Sequence, residues 1–379
     1  MAAGIAGAVR GDRGAALKFE RALAAQFGVT QVQLTDSGTS ALTLAMLAAI
    51  RATGRNRIAL PGYSCYDLVT ALNGAGAGVM LYDIDPATLG PAWSSLDAVL
   101  EARPAAVVVA HLFGLPVDVS RILDAAESNG VVVIEDNAQG IGAAFRGKPL
   151  GAWGQLRVLS FGRGKGVTAG HGGALLVAPG WRGAADALPL RGRRGGRELV
   201  PLMAQWILSR PSLFRVPMSL PGLRLGDTVY RRPTPPGRIS AVGAAVVDAT
   251  WSLRLREVDV RRANAARLLR AAEATAGISP VRPIAEADPG WLRLPFIVPG
   301  RSRKNVPLGE ARPLGVMPGY PRSLDTLEAL PRPEPRLPLP GAAALAEGLW
   351  TLPTHSQLNE SDLAQLEALL ERLGHTLRS

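Results

Sequence analysis

The segment Val131–Gln139, read VVVIEDNAQ, joins an uninterrupted apolar run to an acidic pair. A short run that is apolar along its whole length predicts a strand covered on both faces, as in a parallel sheet. Glu135 and Asp136 would then stand at the carboxyl end of that strand. A carboxylate beside a buried sheet needs a partner, because an unpaired buried charge is costly. Three partners fit this position: a protonated ring nitrogen, an arginine or a metal ion.

A metal ion is the least favoured of these partners. The sequence has four histidines, and none of them stands at the spacing that metal ligands usually show. They are His111, His171, His355 and His375. Each is better explained as a packing or hydrogen-bonding residue, and we expect no metal site.

The pattern of the opening segment repeats through residues 30–180, where short apolar runs alternate with loops and amphipathic stretches. Strands are predicted at 57–61, 79–84, 105–112, 131–136, 156–161 and 173–177, and helices at 39–51, 64–75 and 118–129. Such alternation predicts an α/β fold with a mostly parallel central sheet flanked by helices. Ligands of these sheets bind at the carboxyl ends of the strands.

The pattern changes after residue 180. Residues 181–237 are rich in Arg, Pro and Gly, which is typical of a long connection, and we place a domain boundary near residue 237. The chain would then have a large domain, 1–237, and a smaller C-terminal α+β domain, 238–379. The smaller domain would contain a strand at 291–298 and two helices. The first helix has an apolar face of Ile239, Val242, Val246, Ala249 and Leu253; the last has Leu363, Leu366, Leu370 and Leu373, with Asn359 or Ser361 as N-cap.

The bulk composition is that of a globular protein, with 47% hydrophobic and 19% charged residues in a chain of 379. Net charge is +11, but the arginines are scattered and aromatic residues are few, so a generic basic surface is favoured over a nucleic-acid groove. Cys65 is the only cysteine, which excludes an internal disulfide. No signal peptide or membrane-spanning run is recognised, so a cytoplasmic location is predicted.

The segment Ser160–Gly173, SFGRGKGVTAGHGG, places one of only four lysines among six glycines. Two nucleotide motifs nearly fit it and fail: a P-loop needs Ser or Thr after the lysine, and a dinucleotide fingerprint needs a following helix rather than another strand. Glycines let a flat ligand approach the backbone, and a shielded lysine amine can form a Schiff base with a carbonyl group. Taken alone, the segment is more typical of a flexible surface turn with a solvated lysine than of a site.

Two further loops would reach the same edge of the sheet. The loop Asp36–Leu42, DSGTSAL, opens a helix and combines hydroxyl groups with a glycine, which suits an anion; taken alone, the loop is better explained as a plain Ser/Thr helix cap. The loop Leu60–Tyr66, LPGYSCY, supplies aromatic residues that would either cover a bound ring or pack in the core.

Taken together, these motifs resemble the DegT/DnrJ/EryC1/StrS family, the sugar aminotransferases among the fold-type-I pyridoxal-phosphate (PLP) enzymes. The resemblance rests on GDRGAALKFERALAAQFG with LTDSGTSAL, LPGYSCYDLVTAL, VVVAHLFGLPVDV, IEDNAQ, SFGRGKGVTAGHGGALL, GRISAVGAAVV and LPTH. The IEDNAQ and lysine segments are the most specific of these. Three features depart from the family pattern: Cys65 stands where an aromatic residue is common, an asparagine before Arg238 is absent, and His171 replaces an acidic or small residue.

The resemblance implies roles for particular residues. Lys165 would form a Schiff base with the cofactor, Asp136 would pair with the pyridine nitrogen, and Gln139 would hydrogen-bond the phenolic oxygen. Ser160, Gly38 and Thr39 would hold the phosphate. Contact with the ring would fall to Cys65 or a neighbouring tyrosine, and Tyr320 and His355 would meet the substrate.

The implied reaction moves an amino group from an amino acid, most simply L-glutamate, to a nucleotide-linked keto-sugar, as in polysaccharide or antibiotic biosynthesis. The resemblance also implies a homodimer. A PLP-dependent sugar dehydratase and a non-catalytic regulatory or sensory relative are the alternatives, and Lys165 argues against the first of them. An apolar stretch flanked by arginines, within 199–215, could lie on an anionic membrane, but we favour a covering or capping role.

Overall fold

The computed structural model describes residues 13–181, 228–298 and 311–378, together with residues 183, 186, 188, 190 and 191. The first half has five helices in this part of the chain: α1 (Arg13–Phe27), α2 (Gly38–Thr53), α3 (Asp67–Ala75), α4 (Trp93–Glu101) and α5 (Val119–Ser128). Its strands are β1 (Gln31–Thr35), β2 (Arg57–Pro61), β3 (Gly78–Tyr82), β4 (Ala106–Ala110), β5 (Val132–Asp136), β6 (Ala144–Phe145), β7 (Lys148–Pro149), β8 (Leu156–Ser160) and β9 (Gly173–Val177).

Seven of these strands form the central sheet, in the order β1-β9-β8-β5-β4-β2-β3. Neighbours from β3 across to β8 are parallel, whereas β9 runs antiparallel to both β8 and β1. The carboxyl ends of β1, β2, β4, β5 and β8 therefore lie at one edge, where α/β sheets bind their ligands. The prediction of a mostly parallel α/β sheet is confirmed.

Each of the six predicted strands is present, with boundaries that shift by two residues or fewer. Strand β1 and helix α4 were missed. The sequence of β1, QVQLT, alternates polar with apolar residues, and its first three residues are only half-buried. It therefore lacks the continuous apolar run by which the other strands were recognised.

The second half of the chain contributes α6 (Ala241–Thr250), α7 (Arg254–Ala274), α8 (Pro340–Gly348) and α9 (Glu360–Arg378). Its strands are β10 (Ser279–Pro280), β11 (Ala287–Asp288), β12 (Arg293–Ile297), β13 (Met317–Pro318) and β14 (Leu349–Pro353). Four of them form an antiparallel sheet in the order β10-β12-β14-β13, and β11 joins the β6–β7 hairpin. The C-terminal part is thus α+β, as predicted, and the domain boundary near residue 237 stays a prediction.

Helix α9 has the expected apolar face, because its four predicted leucines are all at most 4% exposed. Its cap is Asn359, whose Oδ1 accepts the Asp362 N–H at 2.9 Å while the Asp362 carboxylate accepts the Asn359 N–H at 3.1 Å. This is a reciprocal capping arrangement. Ser361, the other predicted cap, lies inside the helix.

The apolar face predicted for the helix after residue 238 is partly wrong. The helix is interrupted by a single 3-10 turn, Trp251–Leu253, between α6 and α7. Leu253 is 59% exposed, whereas Val242 and Val247 are buried. The face is set by packing of Trp251 against Phe19 of α1, with ring centroids 5.5 Å apart, and sequence periodicity does not reveal that contact.

In the part of the chain that the structure describes, no helix combines the length and apolarity that a membrane crossing requires. The predicted amphipathic stretch at 199–215 lies outside the described residues.

Candidate active site

A cavity of about 570 Å³ opens at the carboxyl-end edge of the central sheet. The loops that follow β1, β2, β4, β5 and β8 line it, together with Arg231, Arg232 and Thr234. Its walls include seven of the residues expected to form the site, namely Gly38, Thr39, Cys65, Asp136, Gln139, Ser160 and Lys165. Tyr320 and His355, expected to meet the substrate, do not line it.

One wall of the cavity is the N-terminus of α2. The Ser37 hydroxyl caps this helix by accepting the Ser40 N–H at 3.0 Å, and the N–H groups of the first turn have no acceptor within the helix. Ser160, at the end of β8, lies directly against this turn. A Cβ placed on Gly38 would stand 2.8 Å from the Ser160 Cβ and 2.9 Å from its Oγ, so only glycine fits there. The result is a cup of neutral donors suited to a phosphate group.

Asp136 is buried, with 8% of its surface exposed, and its carboxylate lines the cavity. Its Oδ1 accepts one hydrogen bond, from the Ala138 N–H at 3.0 Å. Burial raises the pKa of Asp136, and the charge of Lys165 only partly offsets that effect. Among the described residues, no cationic group lies within ion-pair distance of this carboxylate. A positively charged ligand atom would satisfy it, and a protonated pyridine nitrogen has that chemistry.

Glu135, the other half of the acidic pair, has a different role. Its carboxylate, fully buried, accepts the N–H groups of Gly151, Trp153 and Gly154 at 2.6, 2.8 and 3.1 Å. It also lies 3.2 Å from the Nε2 of His111. Burial alone would raise the pKa of Glu135, but the hydrogen bonds from His111 and the backbone outweigh it and lower the pKa. Glu135 is therefore a structural anion.

Glu135 and Asp136 have different surroundings because successive side chains of a strand point to opposite faces of the sheet. His111 completes the arrangement around Glu135, since its Nδ1 accepts the Val117 N–H at 3.4 Å, which leaves the hydrogen on Nε2 for Glu135. His111 also lines the cavity. The alternation of side chains along a strand could have predicted the different roles of Glu135 and Asp136, but the sequence interpretation did not use it.

Gln139 is fixed at both ends of its amide. Its Oε1 accepts the Phe113 N–H at 2.9 Å, and its Nε2 donates to the Tyr320 hydroxyl at 2.7 Å. Tyr320 stacks on Phe113, with ring centroids 6.1 Å apart and planes 21° from parallel. Tyr320 thus contacts Gln139, which lines the cavity, without lining the cavity itself. Phe113, which the sequence interpretation missed, has φ 57°, a strained conformation for a bulky residue that often marks a functional loop.

Cys65 and Ser64 are the residues of their loop that line the cavity; the adjacent Tyr63 and Tyr66 are buried and do not line it. The Cys65 Sγ donates to the Asp67 carboxylate at 3.6 Å. Burial, with the negative charge of Asp67, raises the pKa of Cys65 to about 12, so the thiol stays protonated. A protonated thiol offers a bound ring an apolar contact rather than a nucleophile.

Lys165 lines the cavity from the glycine-rich loop between β8 and β9. Among the described residues, no acceptor or carboxylate holds its amine. The same loop is tied to the C-terminal half through His171, whose Nε2 lies 3.2 Å from the hydroxyl of Ser240, the N-cap of α6. The lysine is therefore free to react while its loop is anchored.

His355 lies apart from the cavity, near Arg261 and Arg293. Burial, with the charge of those two arginines, lowers the pKa of His355 to about 4, so its ring is neutral. The cavity instead includes Arg163, Arg231, Arg232 and Thr234, none of which was predicted. Within the described part of the chain, no three His, Cys, Asp or Glu side chains come together as a metal-binding group.

The sequence of residues 10–184 matches the profile of the DegT/DnrJ/EryC1/StrS aminotransferase family. Of curated relatives, the L-glutamine:2-deoxy-scyllo-inosose aminotransferase of Streptomyces kanamyceticus is 33% identical over 174 residues, which are 46% of this chain and 40% of the relative. The GDP-perosamine synthase of Caulobacter vibrioides is 33% identical over 161 residues, or 42% of this chain and 43% of the relative. The match thus spans about two fifths of these relatives.

The fold extends the likeness beyond the matched segment. A DegT/DnrJ/EryC1/StrS aminotransferase from Brucella abortus has a TM-score of 0.73 to this chain, with 22% identity, and the alignment covers 95% of this chain and 90% of that one. The fold predicted from the sequence therefore holds for nearly the whole chain.

Proposed function

We propose that this protein is a PLP-dependent aminotransferase that moves an amino group from an amino acid to the keto group of a nucleotide-linked sugar. One observation carries the proposal: the buried Asp136 carboxylate has no cationic partner among the described residues and shares a cavity with the unengaged amine of Lys165. A cofactor with a protonated ring nitrogen and an aldehyde satisfies both groups at once. The family match of residues 10–184 supports the same cofactor.

The cofactor would be held by the residues of the cavity wall. Lys165 would hold its aldehyde, Asp136 its ring nitrogen, and Gln139 its phenolic oxygen through the second hydrogen of Nε2. The phosphate would take the N–H groups of Gly38 and Thr39 and the Ser160 hydroxyl, and Cys65 would touch the ring. Bound PLP supplies an electron sink for the pair of electrons left when a substrate C–H bond breaks.

The residues of the chain then have simple tasks in the reaction. Asp136, kept ionised by its new partner, would hold the proton on the ring nitrogen. The Lys165 amine would take the proton from the α carbon of the donor and, in the second half of the cycle, deliver a proton to the former keto carbon of the acceptor. His171 and Ser240 would keep the lysine loop in place during these transfers.

For the donor we propose L-glutamate. The names of the inosose relatives state L-glutamine, so the spectral assay described below would be run with L-glutamate and with L-glutamine.

For the acceptor, the GDP-perosamine relative supports a nucleotide-linked sugar and the inosose relatives support a cyclitol. We propose the nucleotide-linked class, and we propose a homodimer, which light scattering would test against the chain mass of 39.7 kDa.

The visible spectrum of the pure protein tests the proposed cofactor and reaction. We expect a PLP absorption band that Lys165→Ala removes, and loss of the wild-type band when L-glutamate is added, with 2-oxoglutarate released. Arg256→Ala, an exposed change on α7 far in sequence from the cavity residues, is the matched control and should keep the band. A colourless wild-type protein that added PLP does not restore would refute the proposal.

A further inference from the structure

The loop between β2 and α3 contributes a buried hydroxyl group to the wall of the cavity. Ser64 lines the cavity, and only 1% of its surface is exposed. Among the described residues, no group donates a hydrogen bond to the Ser64 hydroxyl or accepts one from it. A buried hydroxyl without a partner costs free energy, since it has given up its hydrogen bonds to water. The Ser64 hydroxyl is therefore suited to a polar group of a bound ligand.

Asp67, the first residue of α3, adds a carboxylate to the same wall. One of its oxygens, Oδ2, accepts the hydrogen of the Cys65 thiol, with the sulfur at 3.6 Å. Within the described part of the chain, Oδ1 accepts no hydrogen bond, and no lysine, arginine or histidine lies within ion-pair distance of the carboxylate. Asp67 is half-buried, so water solvates it in the free protein. A ligand that displaces this water must supply hydrogen-bond donors in its place.

Cys65, which stands between these two residues in the loop, connects them to the proposed cofactor site. Burial, and after it the charge of Asp67, raises the pKa of Cys65. The pKa of Asp136 is raised by burial, with a smaller contribution from Asp67. The Asp67 carboxylate is thus close enough to both residues to act on them electrostatically. Since Cys65 and Asp136 are proposed contacts of the PLP ring, Ser64 and Asp67 lie beside that ring, where a substrate reacts.

The proposed cofactor leaves Ser64 and Asp67 without a partner, because its aldehyde, ring nitrogen, phenolic oxygen and phosphate are each assigned to other residues. A hydroxyl group both donates and accepts hydrogen bonds. Adjacent hydroxyl groups of a polyol can therefore donate to Asp67 and accept from Ser64. An ammonium group would satisfy Asp67 alone, since it has no lone pair for the Ser64 hydrogen. The two side chains together thus favour a ligand with several hydroxyl groups.

We propose that Ser64 and Asp67 form a hydroxyl-binding subsite that takes adjacent hydroxyl groups of the acceptor ring. The inference rests on the proposed function and deepens it, because it names residues of this chain that select a polyhydroxylated acceptor. Hydrogen bonds to two neighbouring hydroxyl groups would fix the orientation of the ring and so decide which of its carbons faces Lys165. A sugar linked to a nucleotide and a free cyclitol both offer this chemistry, and the experiment distinguishes them.

Calorimetry with the PLP-loaded protein tests the subsite with UDP-glucose and myo-inositol, and with UDP as the probe that lacks the sugar. We expect Ser64→Ala and Asp67→Asn each to weaken the binding of at least one polyhydroxylated probe by about fivefold or more, since each change removes or weakens a hydrogen bond to it. Binding of UDP should not change. Asparagine keeps an acceptor for the Cys65 thiol. Ser94→Ala and Asp97→Asn, at exposed positions of α4 outside the cavity, are the matched controls and should change no affinity.

The pattern of losses identifies the source of the hydroxyl groups. A loss with UDP-glucose assigns the subsite to a nucleotide-linked sugar, and a loss with myo-inositol assigns it to a cyclitol. Both variants should keep the PLP absorption band, the affinity for PLP and the rate of the half-reaction with the donor, which shows that the cofactor site is intact.

Three results would overturn the inference: a wild-type protein that binds neither polyhydroxylated probe, variants that bind both probes as the wild type does, and a loss that is equal for UDP and UDP-glucose with no loss for myo-inositol. Any of these could occur in a protein that binds PLP and transfers amino groups, so the proposed function would stand. A protein that binds a probe through Ser64 and Asp67 but takes up no PLP would refute the proposed function and leave the subsite standing.

Discussion

Asp136 and Glu135 are adjacent carboxylates with opposite electrostatic situations. Glu135 accepts three backbone N–H groups and the imidazole of His111, whereas Asp136 accepts one N–H and faces the cavity. One carboxylate is satisfied by the fold and the other is left for a ligand. A protein that keeps an unsatisfied buried charge for its function is less stable than it could be. Removal of that charge should therefore raise the free energy of unfolding.

We expect Asp136→Asn to raise the free energy of unfolding of the cofactor-free protein near pH 7 by about 0.5 to 2 kcal/mol, the usual range of stabilising substitutions. The folded-state pKa of Asp136 is raised by burial, so the folded chain holds the proton more tightly than the unfolded chain. The stability difference between wild type and variant should be small below the ordinary value of 3.8 and grow as pH rises through the raised pKa. Urea denaturation at a series of pH values measures this.

The same variant should lose most of its activity. Asparagine keeps an acceptor for the Ala138 N–H but cannot hold a proton on the ring nitrogen by charge, and loss of such electrostatic stabilisation costs on the order of a hundredfold or more in kcat. A variant that is both less stable and fully active would contradict this account of Asp136.

Sequence patterns predict much less about single residues than about strands. Asp136 and Lys165 were identified because a strand end and a glycine-rich loop mark them locally. Phe113, Arg231 and Arg232 were missed, because their importance arises from contacts with residues distant in the chain, such as Thr70 with Arg231 across 161 positions. Nothing in the local sequence around these residues records such contacts.

At the scale of elements, Glu135 links β5 to the turn that follows β7. Its carboxylate collects the N–H groups of residues 151, 153 and 154, which no other described group accepts. We expect Glu135→Gln to lower the free energy of unfolding by about 3 kcal/mol, because the new amide group would face donors that need an acceptor. The pKa of Glu135 is lowered in the folded state, so its contribution is present above 4.5 and lost as pH falls through the folded pKa.

Chemical denaturation of wild type and Glu135→Gln across acidic pH checks this prediction. The two proteins should differ most near neutrality and converge in acid, with Glu135→Gln the less stable of the two, whereas Asp136→Asn should be more stable than wild type near neutrality. Glu127→Gln is the matched control, since Glu127 lies on the exposed part of α5 and should show no such dependence. Parallel curves for the Asp136 and Glu135 variants would show that the two carboxylates do not differ as described.

The elements themselves were largely predictable, for a physical reason. Strands buried on both faces of a parallel sheet must be largely apolar along their length. Such apolar runs can be recognised in the sequence, as they were for β2, β4, β5, β8 and β9. The edge strand β1 is half-buried, and the face of α6 depends on Phe19 and Trp251, so tertiary packing decided both. Periodicity describes one element at a time and does not include its neighbours.

At the scale of the whole molecule, the cavity joins segments that lie far apart in the chain. Residues near 38, 65, 111, 136, 165 and 232 all reach it. None of these groups is arranged for a ligand in the unfolded chain, so a ligand that binds them favours the folded state alone. Binding free energy then adds directly to the free energy of unfolding.

We expect PLP at a free concentration one hundred times its Kd to raise the free energy of unfolding by about 2.7 kcal/mol, with a rise that grows with the logarithm of concentration. Lys165→Ala should shift the concentration dependence to higher PLP, since the covalent attachment is lost while the Asp136 and phosphate contacts remain. Pyridoxal, which lacks the phosphate, should stabilise the wild type less, because the hydrogen-bond donors at the N-terminus of α2 and on Ser160 would have no phosphate to bind. Equal stabilisation of wild type and Lys165→Ala by PLP at every concentration would mean that the cofactor binds elsewhere. Only a ligand bound in this cavity would contact both Lys165 and the phosphate-binding donors of α2 and Ser160.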